Sequence, residues 1–200
     1  MGVKFTKAIN KFPDMEAKLK IINGKNISVG VQGEHAWLAG IHEFGCDITP
    51  KNARYLTVPC SPASFGHRAS DFSDLFFFQA KSGSKWLARN KGKDEIELLF
   101  ALMEHVKIPE RAFLRNGFEE VHMKVIEKAE RILPQVIDGT ISESELYNLI
   151  GTLLRDGVKN YARDLSSPPK SPLTLAANGG KANPLVQTGD MINSIEFEVD

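Results

Sequence analysis

The chain has 200 residues, 42% of them hydrophobic, with Lys plus Arg and Asp plus Glu both at 25. That size and apolar content allow one ordinary domain with a real core and exclude a disordered chain. A net charge of zero argues against a protein whose main work is neutralising nucleic-acid phosphates, although it leaves room for a local basic patch.

Met1–Asn10 carries lysines but no apolar run of signal-peptide length. No run of about 18 apolar residues occurs, so no membrane span is expected. Two cysteines, Cys46 and Cys60, fit a reducing compartment better than a disulfide framework.

In chain order, Phe12, Met15, Leu19 and Ile22 keep a helical spacing that Asn23-Gly24 ends. Residues 26–32 read as a half-buried strand, with Ile27, Val29 and Val31 on alternate positions. Residues 34–44 read as a helix with Trp37, Leu38, Ile41 and Phe44 on one face, stopped by Gly45. A loop over 46–54 precedes a short strand at 55–59. Residues 61–74, rich in Ser, Pro and Gly, read as an exposed loop. Residues 75–79 and 85–89 read as two strands around a Lys81-Ser82-Gly83-Ser84 turn. Residues 95–106 fit either period: Ile96, Leu98, Phe100 and Leu102 alternate, whereas Ile96, Leu99, Phe100 and Met103 suit a helix.

Lys107–Phe118 is a junction. Pro109 suits the first turn of a helix and pushes Ile108 toward an extended conformation. Glu110 would then sit in that first turn, and Arg111 and Arg115, four apart, would share a face. Beyond it Phe113, Leu114, Phe118, Val121, Val125, Ile132 and Val136 keep the helical period, with Pro134 expected to disturb the last turn before Asp138-Gly139. Ser142 with Glu145 three later is a capping box for a second long amphipathic helix ending near Leu165. A short connection predicts an antiparallel pair. Residues 166–184 hold Pro168, Pro169, Pro172, Pro184 and Gly179-Gly180 and read as a mobile Pro/Gly loop or arm. Thr188 can cap a short helical turn running through Ser194, after which Ile195, Phe197 and Val199 alternate as a strand.

Catalytic and ligand constellations do not emerge. His35, His42, Cys46, Cys60 and His67 lack zinc-site spacing. Ser64 lies near His67, in a loop without a nucleophile elbow. The lysine-bearing turns at 81–85 and 91–93 lack Walker spacing. Glu95, Glu97, Glu119 and Glu120 read as solvated acids. In Phe76-Phe77-Phe78 two rings must face one side of a strand and one the other, so either both faces are covered or one ring meets a partner chain.

Four segments carry a resemblance. Ala39-Gly40-Ile41-His42-Glu43-Phe44-Gly45 is similar to an Ala-x-x-x-Glu-Phe-Gly signature. Leu56-Thr57-Val58-Pro59 follows it. Ile108-Pro109-Glu110-Arg111-Ala112-Phe113-Leu114-Arg115 is similar to Ile-Pro-x-Arg-Pro-Phe-Leu-Arg, with Ala112 in place of the second proline. Asn183 to Ile195 is similar to Pro-Leu-x-x-Thr-Gly-x-Leu-x-x-Ser-Ile, with Thr188, Gly189 and Ser194 retained and Met191 in the leucine position. In this order the segments resemble the phage virion-morphogenesis family of neck, minor-tail and tail-completion proteins.

The resemblance implies an α+β protein. A curved, mostly antiparallel sheet would pack against the two long helices, with short helices beside it, in a single domain over 1–200 that has a loop-and-hairpin insertion at 61–94. It tips residues 95–106 toward a strand. It also implies a homo-oligomeric ring, typically six-fold, at the head–tail neck or the end of the tail tube. The partners would be other copies, tail-tube and head-completion proteins, with DNA only passing through the lumen and no membrane. The location would be the virion, after assembly in the bacterial host cytoplasm, and neither catalysis nor a cofactor or metal is implied. The candidate structural and interface residues are Glu43, Phe44, Gly45, Phe76, Phe77, Phe78, Pro109, Arg111, Phe113, Arg115, Thr188, Gly189 and Ser194. The alternative reading is a nucleic-acid-associated module using Arg111, Arg115 and the Lys81–Lys93 region.

Overall fold

The computed structural model describes residues 25–93, 95–177 and 179–200. The helix expected over Phe12–Ile22 lies outside them. Eight strands are present among the described residues: β1 (Ile27–Val31), β2 (Cys46–Ile48), β3 (Leu56–Pro59), β4 (Phe76–Gln79), β5 (Lys85–Asn90), β6 (Ile96–Met103), β7 (Val106–Ile108) and β8 (Ile195–Val199). The helices are α1 (Ala36–Phe44), α2 (Phe113–Asp138), α3 (Glu143–Asp164), α4 (Pro172–Ala177) and α5 (Asp190–Asn193).

The fold is mixed, with antiparallel pairing throughout and two long helices, but the expected single curved sheet is not there. The strands divide into three separate sheets, ordered β1-β8, β2-β7 and β3-β6-β5-β4. The physical reason lies in the connections. β1 and β8 lie at opposite ends of the described chain and zip together from Ile27↔Val199 to Val31↔Ile195, clamped against α3 rather than against the other strands. β2 and β7 are three residues each, too short to bridge the outer sheets.

The ambiguous stretch 95–106 forms β6 and the first residue of β7. β6 is interior to its sheet, with both edges paired to β3 and β5, and over its middle both faces are covered as well. Leu99, Phe100 and Ala101 are accordingly buried in succession, a run that a one-sided alternation does not describe. β5 meets β6 with a bulge at Leu87/Ala88. The 61–74 stretch is not simply exposed. It contains two 3₁₀ turns, and Ser64 is fully buried, its hydroxyl lying 2.7 Å from the Leu99 carbonyl and 2.8 Å from that of Ser61.

α3 starts as expected. The Ser142 hydroxyl accepts from the Glu145 N–H at 3.2 Å, and the Glu145 carboxylate accepts from the Ser142 N–H at 2.8 Å. This bonding holds the Glu145 carboxyl below its ordinary range. α2 and α3 pack side by side through small residues. A Cβ on Gly157 would meet Val121 at 2.7 Å, and one on Gly117 would meet the Val158 backbone at 3.2 Å, so Gly and Val face each other twice. α2 runs through Pro134 to Asp138, because Val136 is buried and Gly139, at φ 86°, closes the end with bonds to Gln135 and Val136.

The core sits where α1, α2, α3 and the C-terminal segment meet: Ala39, Phe113, Val158, Ala162, Leu185, Met191, Ile192 and Ile195. Burying a large apolar side chain contributes about 1.5–3 kcal/mol, so this cluster is the main apolar contribution on that side of the molecule. No helix among the described residues is long and apolar enough to cross a membrane.

Candidate functional site: the motif junction and its cleft

The three longer motif segments meet at one place. Its centre is Glu43, near the end of α1 and only 4% exposed. α2 begins at Phe113, with Ala112 before it and no side-chain cap of its own. The orphan N–H groups of its first turn are satisfied from another helix. Glu43 accepts from Leu114 N–H at 2.9 Å and Arg115 N–H at 3.2 Å, and also from Arg115 Nε at 2.8 Å. Arg115 Nη2 adds bonds to the Glu43 carbonyl at 3.1 Å and to Glu110 at 2.6 Å. Backbone bonds from Arg111 N–H to the His42 carbonyl and from Ala112 N–H to that of Glu43 complete the lock.

Gly45 ends α1 at φ 74°, and a Cβ there would lie 2.8 Å from the Glu110 nitrogen and 3.0 Å from the Ile108 oxygen. Glycine is required by both conformation and contact. The Glu-Phe-Gly triplet and the Ile-Pro-Glu-Arg stretch therefore hold each other. The fourth segment supplies Leu185, Met191, Ile192 and Ile195 to the same core. Its polar residues make the turn. Thr188 Oγ1 donates to Asp190 at 2.6 Å, Gly189 sits at φ 103°, and Ser194 Oγ donates to the Met191 carbonyl at 2.9 Å.

Several expectations are corrected here. Pro109 and Glu110 precede the helix instead of forming its first turn; Pro109 follows β7, and Glu110 pairs with Arg115. Ala112 adopts φ 45°, which a proline ring cannot, so alanine in place of the second proline matches the backbone found here. Arg111 precedes the helix, so it does not share a helix face with Arg115. Arg115 is tied to two carboxylates. Arg111 is 6% exposed, and its partners are His42 Nδ1 at 2.9 Å, the Pro168 carbonyl at 3.2 Å and the Pro169 carbonyl at 3.4 Å.

α1 keeps only half of its expected face inward: Leu38 and Ile41 are half-buried, with Leu38 against the core, while the other two members are not. Trp37 and Phe44 are 68% and 67% exposed, whereas Ala39 and Glu43 are buried, because the close approach to α2 needs a small residue and a capping carboxylate. Arg115 stacks over the Phe44 ring at 5.1 Å. Of the three phenylalanines in β4, Phe76 and Phe78 are half-buried and Phe77 is 55% exposed. Glu97, expected to be solvated, accepts from Ser61 at 2.8 Å and pairs with Arg89 at 2.8 Å, which holds its carboxyl low. Ser64 and His67 are not arranged as a nucleophile and base. The Ser64 hydroxyl faces carbonyls, and the His67 ring stands edge-on to Phe72 at 5.8 Å. Among the described residues no group of His, Cys, Asp or Glu could hold a metal ion, and Cys46 and Cys60 are free thiols.

Beside the junction lies a cleft of about 640 Å³, bounded by α1, β3, β7 and the segment around Pro169–Ser171 and Pro184–Gln187. Its walls include Leu38, Val58, Phe65, Ile108 and Leu185, and its ionisable groups are His42, Lys107, Arg111 and Lys170. Burial, and then the charges of Arg111 and Lys170, lower the His42 pKa to about 4, so the ring is neutral and can accept from Arg111. Lys170 donates to the Val186 carbonyl at 2.7 Å and the Lys181 carbonyl at 3.2 Å, and burial together with Arg111 pushes its pKa down.

This cleft was not legible in the sequence. Lys170 sits in a Pro/Ser stretch, and only its spatial meeting with Arg111 gives it meaning. Comparison with family models, with curated proteins and with solved structures finds no match for the chain.

Proposed function

We propose that this chain is a structural subunit of a bacteriophage or prophage virion. It would form a homo-oligomeric ring at the head–tail neck or at the end of the tail tube, in the manner of neck, minor-tail and tail-completion proteins. Its partners are other copies of itself and neighbouring neck or tail proteins, DNA passes only through the lumen, and the role involves no catalysis and no cofactor.

The observation that carries the reading is the convergence of the motif segments. Residues 39–45, 108–115 and 183–195, remote in sequence, are interlocked around Glu43 and Phe113, so the resemblance falls on residues that build one junction. A ring subunit also needs surface to give to its neighbours. Trp37, Phe44 and Phe77 are large apolar groups open to solvent, and we assign the Phe77 edge and the 166–184 segment to the two contacting patches. The nucleic-acid alternative draws no support from Arg111, which is buried, or from Arg115, which already serves two carboxylates.

The test is light scattering and electron microscopy of the purified chain, together with sedimentation against isolated tail tubes. The expected result is rings whose mass is a multiple of 22.2 kDa, or co-sedimentation with tubes. A monomer at every concentration that ignores tubes overturns the reading.

A further inference from the structure

The cleft beside the junction has an unusual charge. In a chain with equal numbers of acidic and basic residues, its ionisable lining consists of Lys107, Arg111, Lys170 and His42, and no Asp or Glu among the described residues lines it. Arg111 and Lys170 line the same cleft, and neither has a carboxylate within ion-pair distance among the described residues. Carbonyls satisfy part of each cation. They leave one N–H on each terminal nitrogen of Arg111 and one on Lys170 without a described partner. Arg111 is buried and Lys170 half-buried, and cations withdrawn from water are normally paired, so a site that holds them without an acid is the electrostatic complement of an anion.

The shape narrows the anion. The remaining walls are apolar, with Leu38, Val58, Phe65, Ile108 and Leu185. Two of the bounding strands are sheet edges. β3 pairs only with β6, and β7 pairs only with β2, so each retains a row of backbone groups open to an added strand. Cations, apolar walls and two free strand edges together fit an extended peptide better than a phosphodiester chain, which has neither apolar side chains for those walls nor backbone N–H and C=O groups for those edges.

We propose that this cleft binds an extended peptide segment of a partner protein in which Asp or Glu side chains alternate with apolar ones. The carboxylates meet Arg111, Lys170 and, at the rim, Lys107, while the apolar side chains lie against Val58, Phe65 and Leu185. The proposal stands on the cleft alone and does not need the ring.

The test is selection of a displayed random dodecapeptide library on the full chain, followed by affinity and amide chemical-shift measurements with the enriched peptides. Enriched sequences are expected to alternate acidic and apolar residues and to shift amides of α1, β3 and β7. Their affinity is expected to fall about tenfold in Lys170→Gln and severalfold in Lys107→Gln. Lys107 is exposed and makes no described side-chain hydrogen bond, so the second variant tests the site without disturbing the fold. A twenty-nucleotide oligothymidine serves as the phosphate probe. No enrichment, acid-free peptides, affinities indifferent to both lysine variants, or tighter binding of the oligothymidine would each overturn the proposal.

Discussion

A carboxylate taken out of water costs several kcal/mol unless donors replace the water, and Glu43 meets three N–H groups at 3.2 Å or less. Two of them are orphan donors of the first turn of α2, so one side chain satisfies itself and starts a 26-residue helix. Glu43→Gln keeps the shape but sets an amide NH2 against the Leu114 N–H and removes the charge that faces Arg115. It is expected to cost about 3 kcal/mol and to lower Tm by roughly 6–12 °C. Arg115→Gln, at the exposed end of the same pair, is expected to lower Tm by less than the Glu43 variant does. A Tm within 1 °C of wild type for the Glu43 variant would show that the cap contributes nothing. His42 makes a second prediction. Its pKa is about 4 folded against 6.5 unfolded, so between those values the unfolded chain binds more protons. Stability from this group is therefore complete above pH 6.5 and is lost as pH falls toward 4, on the order of 1–2 kcal/mol after allowance for solvent screening. Denaturant titrations across pH should show that decline, and His42→Asn should remove it. The depressed carboxyls of Glu97, Glu145 and Glu196 lose their contribution only below about 4.5 and leave the upper window clean. An identical decline in the variant would assign it elsewhere.

Elements were legible where their signals are local. The capping box at Ser142, the alternation in β1 and β8 and the long periods of α2 and α3 are properties of neighbouring residues, and each element stands where its pattern placed it. Glu43 is marked by the resemblance but its capping role is not legible, because its partners are 71 and 72 positions away and a carboxylate near a helix end looks the same whether it caps that helix or another one. α1 misled for the same reason. Four large apolar residues at helical spacing normally mark the inward face, yet fit against α2 gives the most buried positions to Ala39 and Glu43, leaving Leu38 and Ile41 half-buried and Trp37 and Phe44 outside. β2 was missed because three residues carry no period; it exists only as the partner of β7. The direction of Pro109 was misjudged because its fixed φ serves an extended segment as well as a first helical turn. The helix pair needs Gly117 and Gly157 opposite Val158 and Val121, a reciprocity invisible until the two stretches are laid antiparallel.

At the scale of the molecule, three short sheets leave many strand edges, and the question is which are left for assembly. β4 ends its sheet, and on its open face stands Phe77, between the half-buried Phe76 and Phe78. Phe77→Asp removes an exposed ring, so it should leave Tm within about 2 °C of wild type. Its effect on assembly separates two symmetries. A ring built head to tail uses two different patches on each copy, and Phe77→Asp spoils one while leaving the other. Such a subunit still joins a wild-type neighbour on its good side and then stops growth, so substoichiometric variant should convert wild-type rings into short open chains. With an isologous contact the variant fails on both counts, stays apart as monomer and leaves wild-type oligomers intact. Light scattering of mixtures at increasing variant fraction distinguishes the outcomes: a steep fall in mean mass supports the head-to-tail ring, a simple weighted average supports the isologous contact, and an unchanged mass removes the Phe77 edge from assembly altogether.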